Sequence, residues 1–332
     1  MREPAFWWRE PGLMSALLAP LGALYGAIAA RRMRRSGQRV RATVVCIGNL
    51  TLGGAGKTPS AIATARLLRD AGAKPAFLTR GYGGRLAGPV SVAPDHTAAD
   101  VGDEPLLLAR VAPTVVAHDR IAGAAAAIAG GFDTIVMDDG FQNPSLEKNL
   151  SVLVIDGRRG IGNGRVFPAG PLRAPLAAQL DRAHALLVIG EPGWSARSVI
   201  SAVRRGPASI VVTGRLVPDP AAVAALAQAP VLAFAGIADP EKFFATLRDA
   251  GIAVAATRRF ADHHHFDVAE AKDLIAQAEQ SRLTLVTTEK DLARMTGDPA
   301  LAELAARVKT LPVAVEFDNA GALRDILESL FF

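Results

Sequence analysis

From Arg41 onward, short apolar runs alternate with longer stretches in which apolar side chains recur every three or four positions. The runs are Thr43–Ile47, Pro75–Leu78, Thr114–Ala117, Thr134–Met137, Val152–Ile155 and Ala185–Ile189. None has the strict polar alternation of a strand with one wet face. They therefore read as strands covered on both sides, as in a parallel sheet. Pro59–Ala71 and Arg120–Ala129 lie between them with helical periodicity. The alternation predicts an α/β fold, a mostly parallel sheet flanked by helices. Near Gly206–Pro220 one further run, Ser209–Val212, precedes VPDP, which reads as a hinge. A second series then begins: Val231–Ala235, a helix from Pro240, Ala253–Ala256, a helix around Val268–Gln280, and Leu283–Thr287. The pattern divides the chain into an N-terminal helix (1–38), a core (39–212) rejoined by a C-terminal helix (318–332), and a smaller α/β lobe (213–317).

The N-terminal part breaks this rhythm. Gly12–Ala30 holds no charge, RRMRR follows at 31–35, and Trp7 and Trp8 precede it. About 20 apolar residues suffice to span a bilayer. Pro20, Gly22 and Gly26 weaken that reading. A helix lying in the membrane interface fits better, with the Trp pair at headgroup level and the Arg cluster on anionic lipid. A helix packed on its own domain is the bland alternative. A cleaved signal peptide fits least, because its leading region would hold two Trp and two Glu.

Charge sharpens this picture. The net charge is +5, yet residues 1–41 hold eight Arg against two Glu and carry +6, leaving −1 for the rest. A basic face across the fold is excluded, and with it the usual nucleic-acid binder. The anionic partner expected at the N-terminus is a membrane surface. A single cysteine, Cys46, excludes a disulfide framework and a Cys-based zinc site. It lies mid-strand and reads as a small buried hydrophobe.

The strongest chemical signal is Gly53-Gly54-Ala55-Gly56-Lys57-Thr58, placed between a strand and a helix. Glycines let backbone N–H groups close around phosphate oxygens, and the helix N-terminus adds positive potential. Lys57 can reach the β- and γ-phosphates, and the Thr58 hydroxyl can ligate Mg²⁺. The full pattern begins with Gly, where this chain has Thr51. The strand Thr134–Met137 ends in Asp138-Asp139, and its C-terminal end should face the same crevice. Asp138 is a candidate Mg²⁺ ligand. Asp103-Glu104 precedes the apolar stretch Leu106–Ala109. It fits an acidic helix cap as well as a base for a phosphoryl acceptor. His263-His264-His265 would point alternately to opposite sides of an extended chain, which suits a metal poorly. TTEKD (287–291) reads as a helix start, with Thr288 as cap and Asp291 three residues on.

Together these motifs resemble the tetraacyldisaccharide 4'-kinase family. The matching pieces are Gly48-Asn49-Leu50 with GGAGKTP (53–59), TRGYGG (79–84), VGDEPLLLA (101–109), DDGFQ (138–142), GNGRVFPAGPLR (162–173), FADHHHF (260–266) and TTEKD. The resemblance implies a P-loop core and a second α/β lobe that closes on nucleotide. It implies transfer of the ATP γ-phosphate, with Mg²⁺, to the 4'-hydroxyl of an acylated glucosamine disaccharide 1-phosphate. The product it implies is lipid IV-A, of lipid A biosynthesis, made at the cytoplasmic face of the bacterial inner membrane. It assigns Asp103 as base with His263 assisting, Arg120 and Arg173 as charge stabilisers, and Asp139 to the catalytic set. Nucleotide falls to Thr51, Gly53, Gly54, Ala55, Gly56, Lys57, Thr58 and Gln142. The metal falls to Thr58, Asp138 and Glu104. One position departs: after DDGFQ the family usually has His, and this chain has Asn143. A kinase with a drifted acceptor is one alternative. A membrane-attached switch or partitioning ATPase is another, although its signature lysine would fall at Leu52.

Overall fold

A computed structural model describes residues 3–205 and 210–331. The strands are β1 Thr43–Asn49, β2 Pro75–Thr79, β3 Val90–Ser91, β4 Thr114–Val116, β5 Thr134–Asp138, β6 Leu150–Asp156, β7 Ala185–Ile189 and β8 Ile210–Pro218. They continue as β9 Val231–Ala235, β10 Val254–Arg259, β11 Thr284–Thr287, β12 Lys309–Thr310 and β13 Val313–Phe317. The large sheet runs β13-β8-β7-β6-β1-β5-β2-β4-β3, and the small one β10-β9-β11-β12. Within the large sheet only the edge pairs β13–β8 and β3–β4 are antiparallel. The expected α/β class with a mostly parallel sheet holds.

The apolar runs are continuous because both faces of the sheet are covered. Successive residues of β1 face opposite ways, as the pleat requires. Val44 and Cys46 join one core with Ile135, Met137, Leu153 and Ile155. Val45 and Ile47 join the other with Ala61, Leu68 and Val136. The C-terminal Ala320–Glu328 helix seats Leu323 and Leu327 in this second core. Their i,i+4 spacing puts both on one face, and truncating either to Ala would cost about 2–5 kcal/mol.

The lobe limits at 213 and 317 need correction. Residues 213–218 and 313–317 belong to β8 and β13 of the large sheet. The small lobe therefore lies inside that interval, with its sheet between Val231 and Thr310. The physical reason is pairing: β13 closes the edge beside β8 over a register from Val313↔Pro218 to Phe317↔Gly214. Of the expected hinge, Gly206–Ser209 lie outside the described residues. In VPDP, Val217 and Pro218 finish β8, Asp219 caps the next helix through Ala222 N (2.8 Å), and Pro220 opens it.

The N-terminal helix is Leu13–Met33. Ser15, Gly22, Gly26 and Met33 are buried, while Leu13, Met14, Leu17, Leu21, Leu24, Tyr25 and Ile28 are exposed. The small face docks on the loop after β6: Ser15 Oγ donates to Ala169 O (2.9 Å). A Cβ on Gly22 would meet Val166 O at 2.8 Å, so only glycine permits this approach. Trp7 corrects an expectation. It is buried, with Nε1 donating to Pro168 O (3.1 Å) and its ring edge-on to Phe167. A free indole at headgroup level is excluded for Trp7, since its polar edge is already satisfied inside the domain.

Candidate active site

β1 ends at Asn49, and the chain loops to Gly56 before the helix Lys57–Asp70. Gly53 (φ +98°) and Gly56 (φ +87°) adopt left-handed conformations that side chains resist. The loop is held from two sides. Asn49 Nδ2 donates to Gly53 O (3.1 Å). From the 162–173 loop, Leu52 N donates to Pro171 O and Arg173 N to Leu50 O. Thr51 takes part there through a bridge to Leu172.

The paired acids stand at the end of β5, the neighbour of β1. Thr58 Oγ1 donates to Asp138 Oδ2 (3.1 Å), and Asp138 Oδ1 is buried without a partner. Burial, then the nearby Glu104, pushes the Asp138 carboxyl up to about 7. Asp139 has φ +55°, which turns its carboxylate toward cations. Lys57 Nζ lies 3.8 Å from it. Arg173 grips it with two donors at 2.9 and 3.1 Å. Burial opposes its ionisation, but Lys57 and Arg173 outweigh that and hold it at about 2. Lys57 is itself buried, which pushes its ammonium pKa down against the pull of Asp139.

Asp103 opens the short helix Asp103–Ala109, whose cap is Gly102 at φ +90°. The cap reading of Asp103 thus gives way to a place in the first turn. The residue is buried, and Oδ1 accepts from Glu104 N (2.9 Å). His263 Nδ1 stands 3.6 Å from Oδ2, just beyond hydrogen-bond distance. His263 has φ +54°, and its ring lies 4.9 Å from Tyr82. Burial works against an ionised Asp103, but His263, Arg294 and Lys290 hold its carboxyl well below the usual range. Lys290 Nζ also meets Glu104 Oε1 at 2.6 Å. His264 turns away to Glu270 (2.8 Å) and stacks on Phe260.

Arg120 opens the helix Arg120–Ala129, which Asp119 caps. It is 3% exposed, and its Nε has no partner. Burial, then the charge of Arg80, depresses its pKa. Two of the expected residues are held by neighbours. Arg173, expected on the phosphoryl group, sets its fork on Asp139 and donates from Nε to Thr51 O (2.9 Å). Gln142, expected on nucleotide, donates to Asn49 O (2.8 Å) and Gln179 Oε1 (3.0 Å). It braces the end of β1 from behind.

The donors present suit Mg²⁺. Asp138, Thr58 and Glu104 offer only hard oxygen, and the buried Asp138 Oδ1, without a hydrogen-bond partner, is an oxygen that a hard cation would satisfy.

A family profile described as tetraacyldisaccharide-1-P 4'-kinase matches residues 14–331. The chain belongs to that family. A tetraacyldisaccharide 4'-kinase of Rhodopseudomonas palustris is 57% identical, over 99% of this chain and 96% of its own length. One from Nitrobacter winogradskyi is 54% identical, over 98% and 97%. The LpxK of Aquifex aeolicus, solved in complex with ATP, superposes with a TM-score of 0.70 at 23% identity. It covers 96% of this chain and all of its own, so the fold is shared end to end.

The departure at Asn143 from the usual kinase pattern has a local explanation. Its Oδ1 accepts from Ser145 N (2.8 Å), and Lys148 Nζ donates to its carbonyl (2.6 Å). The side chain closes an Asx turn, which needs an acceptor and no titrating ring. Residues that the kinase motifs left unassigned also meet here. Arg294 contacts Asp103, and Arg159 joins Glu3 to Asp239 of the small lobe. The i,i+3 spacing of Asp291 and Arg294 was the signal available for the first. For Glu3, 156 residues from Arg159, none existed.

Proposed function

We infer that this chain is an ATP-dependent kinase that phosphorylates the 4'-hydroxyl of tetraacyldisaccharide 1-phosphate, forming lipid IV-A. The observation that carries this is relatedness along the whole chain to tetraacyldisaccharide 4'-kinases at 54–57% identity. The acceptor oxygen attacks the γ-phosphorus, its bond forms as the β,γ-bridging bond breaks, ADP leaves, and the hydroxyl proton passes to Asp103. Thr58, Asp138 and Glu104 would hold Mg²⁺, which would supply charge neutralisation at the phosphates. The loop Thr51–Thr58 cradles the nucleotide, with Gln142 behind it. Lys57 and Arg120 carry the charge that builds on the phosphoryl oxygens. The unpartnered Nε of buried Arg120 favours that role, since a buried N–H without an acceptor is costly. Arg173 acts one step back, keeping Asp139 ionised and Thr51 in place. His263 completes the base side from the small lobe.

The N-terminal helix serves on the membrane, at its cytoplasmic face. It is 21 residues long, and its first 18 residues, Leu13–Ala30, carry no charge. Its small face is spent on the domain and its Leu-rich face is free, which favours a helix lying in the interface over one crossing alone. Arg31, Arg32, Arg34 and Arg35 at its end are exposed. Each is worth about 1 kcal/mol against an anionic leaflet.

The test is transfer of labelled γ-phosphate from ATP to tetraacyldisaccharide 1-phosphate in mixed micelles with Mg²⁺. A labelled lipid that disappears with Lys57→Ala is expected. ATP hydrolysis without labelled lipid would overturn the reading in favour of a switch ATPase or another acceptor.

A further inference from the structure

Asp103 has a second cation at hand that the phosphoryl-transfer reading leaves unused. Arg294 sits on the small-lobe helix Glu289–Met295, with its side chain 5% exposed. Its Nε donates to Asp103 Oδ2 (2.7 Å), and its Nη2 lies 2.6 Å from the same oxygen as a charge contact outside hydrogen-bond geometry. Its Nη1 is held from behind, donating to Gly236 O (2.7 Å) and Asp291 Oδ1 (2.8 Å). Asp291 is fully buried and anchored in turn. It accepts from Gly236 N (3.1 Å) and from the hydroxyls of Thr287 (3.2 Å) and Thr288 (2.6 Å). The guanidinium thus has one edge fixed in the small lobe and the other on a carboxylate of the core.

We propose that Arg294 is a positioning residue that locks Asp103 Oδ2 to the small lobe and leaves Oδ1 to receive the acceptor hydroxyl. The count of acceptor sites supports this. A carboxylate offers about four lone-pair positions. Oδ2 faces Nε and Nη2 of Arg294, with His263 at 3.6 Å. Oδ1 takes one bond, from Glu104 N, and keeps one lone pair. A guanidinium anchored through Nη1 in the small lobe and donating from Nε fixes where Oδ2 sits in a way that a point charge does not. The base is then aligned only while the lobes are docked. This proposal rests on Asp103 being the base.

The experiment is a double-mutant cycle on kcat, with the full chain and lipid acceptor in mixed micelles. The four enzymes are wild type, Asp103→Ala, Arg294→Gln and the double variant. Arg294→Gln should lower kcat about 10- to 100-fold, with KM for ATP within about twofold. In the Asp103→Ala background the same change should cost less than about twofold. Arg294→Lys, which keeps charge without the fork, should recover part of the loss. Equal losses in both backgrounds would overturn the proposal, because Arg294 would then act independently of Asp103. Asp103→Ala with unchanged kcat would instead sink the base reading, and that is read directly from the single variant. Gln at 294 leaves Asp291 buried without its cation. The cycle is therefore repeated with Asp291→Asn in all four enzymes, and the same coupling is expected.

Discussion

On the phosphate-loop side of the site, Lys57, Thr58, Asp138, Asp139 and Arg173 pair with one another, and all five belong to the large-sheet lobe. On the Asp103 side the partners come from the other lobe: Arg294 and His263 on Asp103, Lys290 on Glu104. Further pairs cross the same junction, Asp156 with Lys242, Asp239 with Arg158 and Arg159, and Glu289 with Arg110. On the proposed reading of the site, nucleotide binding and proton transfer would depend on separate supports. The phosphate-loop side is preorganised within one sheet. The Asp103 side is complete only when the lobes meet, a common way for closure to complete a catalytic site.

The sharpest way to break this comparison is Asp103→Ala. The loss should fall on kcat, by about 100- to 10,000-fold, with ATP affinity nearly intact. Steady-state kinetics beside nucleotide titration would read both. Lys57→Ala should cost about 100- to 1,000-fold and, unlike the first variant, should weaken ATP binding as well. Equal ATP affinities in the two variants would erase the distinction.

Lys242→Met probes the junction away from the reacting atoms. Burial opposes ionisation of Asp156, but Lys242 outweighs it and depresses its pKa in the fold. The pair therefore stabilises above the unfolded carboxyl's pKa, near ~4, and the effect fades as pH falls through the depressed value. Urea unfolding should show a loss of about 1–3 kcal/mol at pH 7 that shrinks toward pH 3. The smallest effect is expected from Asn143→His. Because Asn143 only closes a turn, kcat should stay within about twofold of wild type, and a larger change would draw that turn into the site.

The core of the large sheet was legible because a strand covered on both faces leaves an unbroken apolar run, as in Val152–Ile155. The phosphate loop was legible because its glycines and its order along the chain are dictated by phosphate. The pairing of β13 with β8 was not. Ninety-odd residues separate them, and neither VAVEF nor its partner carries a mark of the other. Arg294 stayed hidden for a related reason. An acidic and a basic residue three apart on a helix read as a solvated pair, and only packing against the large-sheet core turns Arg294 inward. Trp7 misled in the opposite sense. An indole beside an apolar helix suits a headgroup layer, but the carbonyl of Pro168 claimed its N–H first.

The loop that receives Gly22 and Gly26 of the N-terminal helix is the one whose far end carries Arg173 to the phosphate loop. Helix and reacting centre are thus mounted on a single bracket at a fixed height. With the helix in a bilayer, as proposed above, such a bracket would act as a depth gauge. It would select an acceptor by how far its hydroxyl stands above its acyl chains, before any side chain has read the sugar. A lipid whose headgroup sat one saccharide too low or too high would be refused by distance alone.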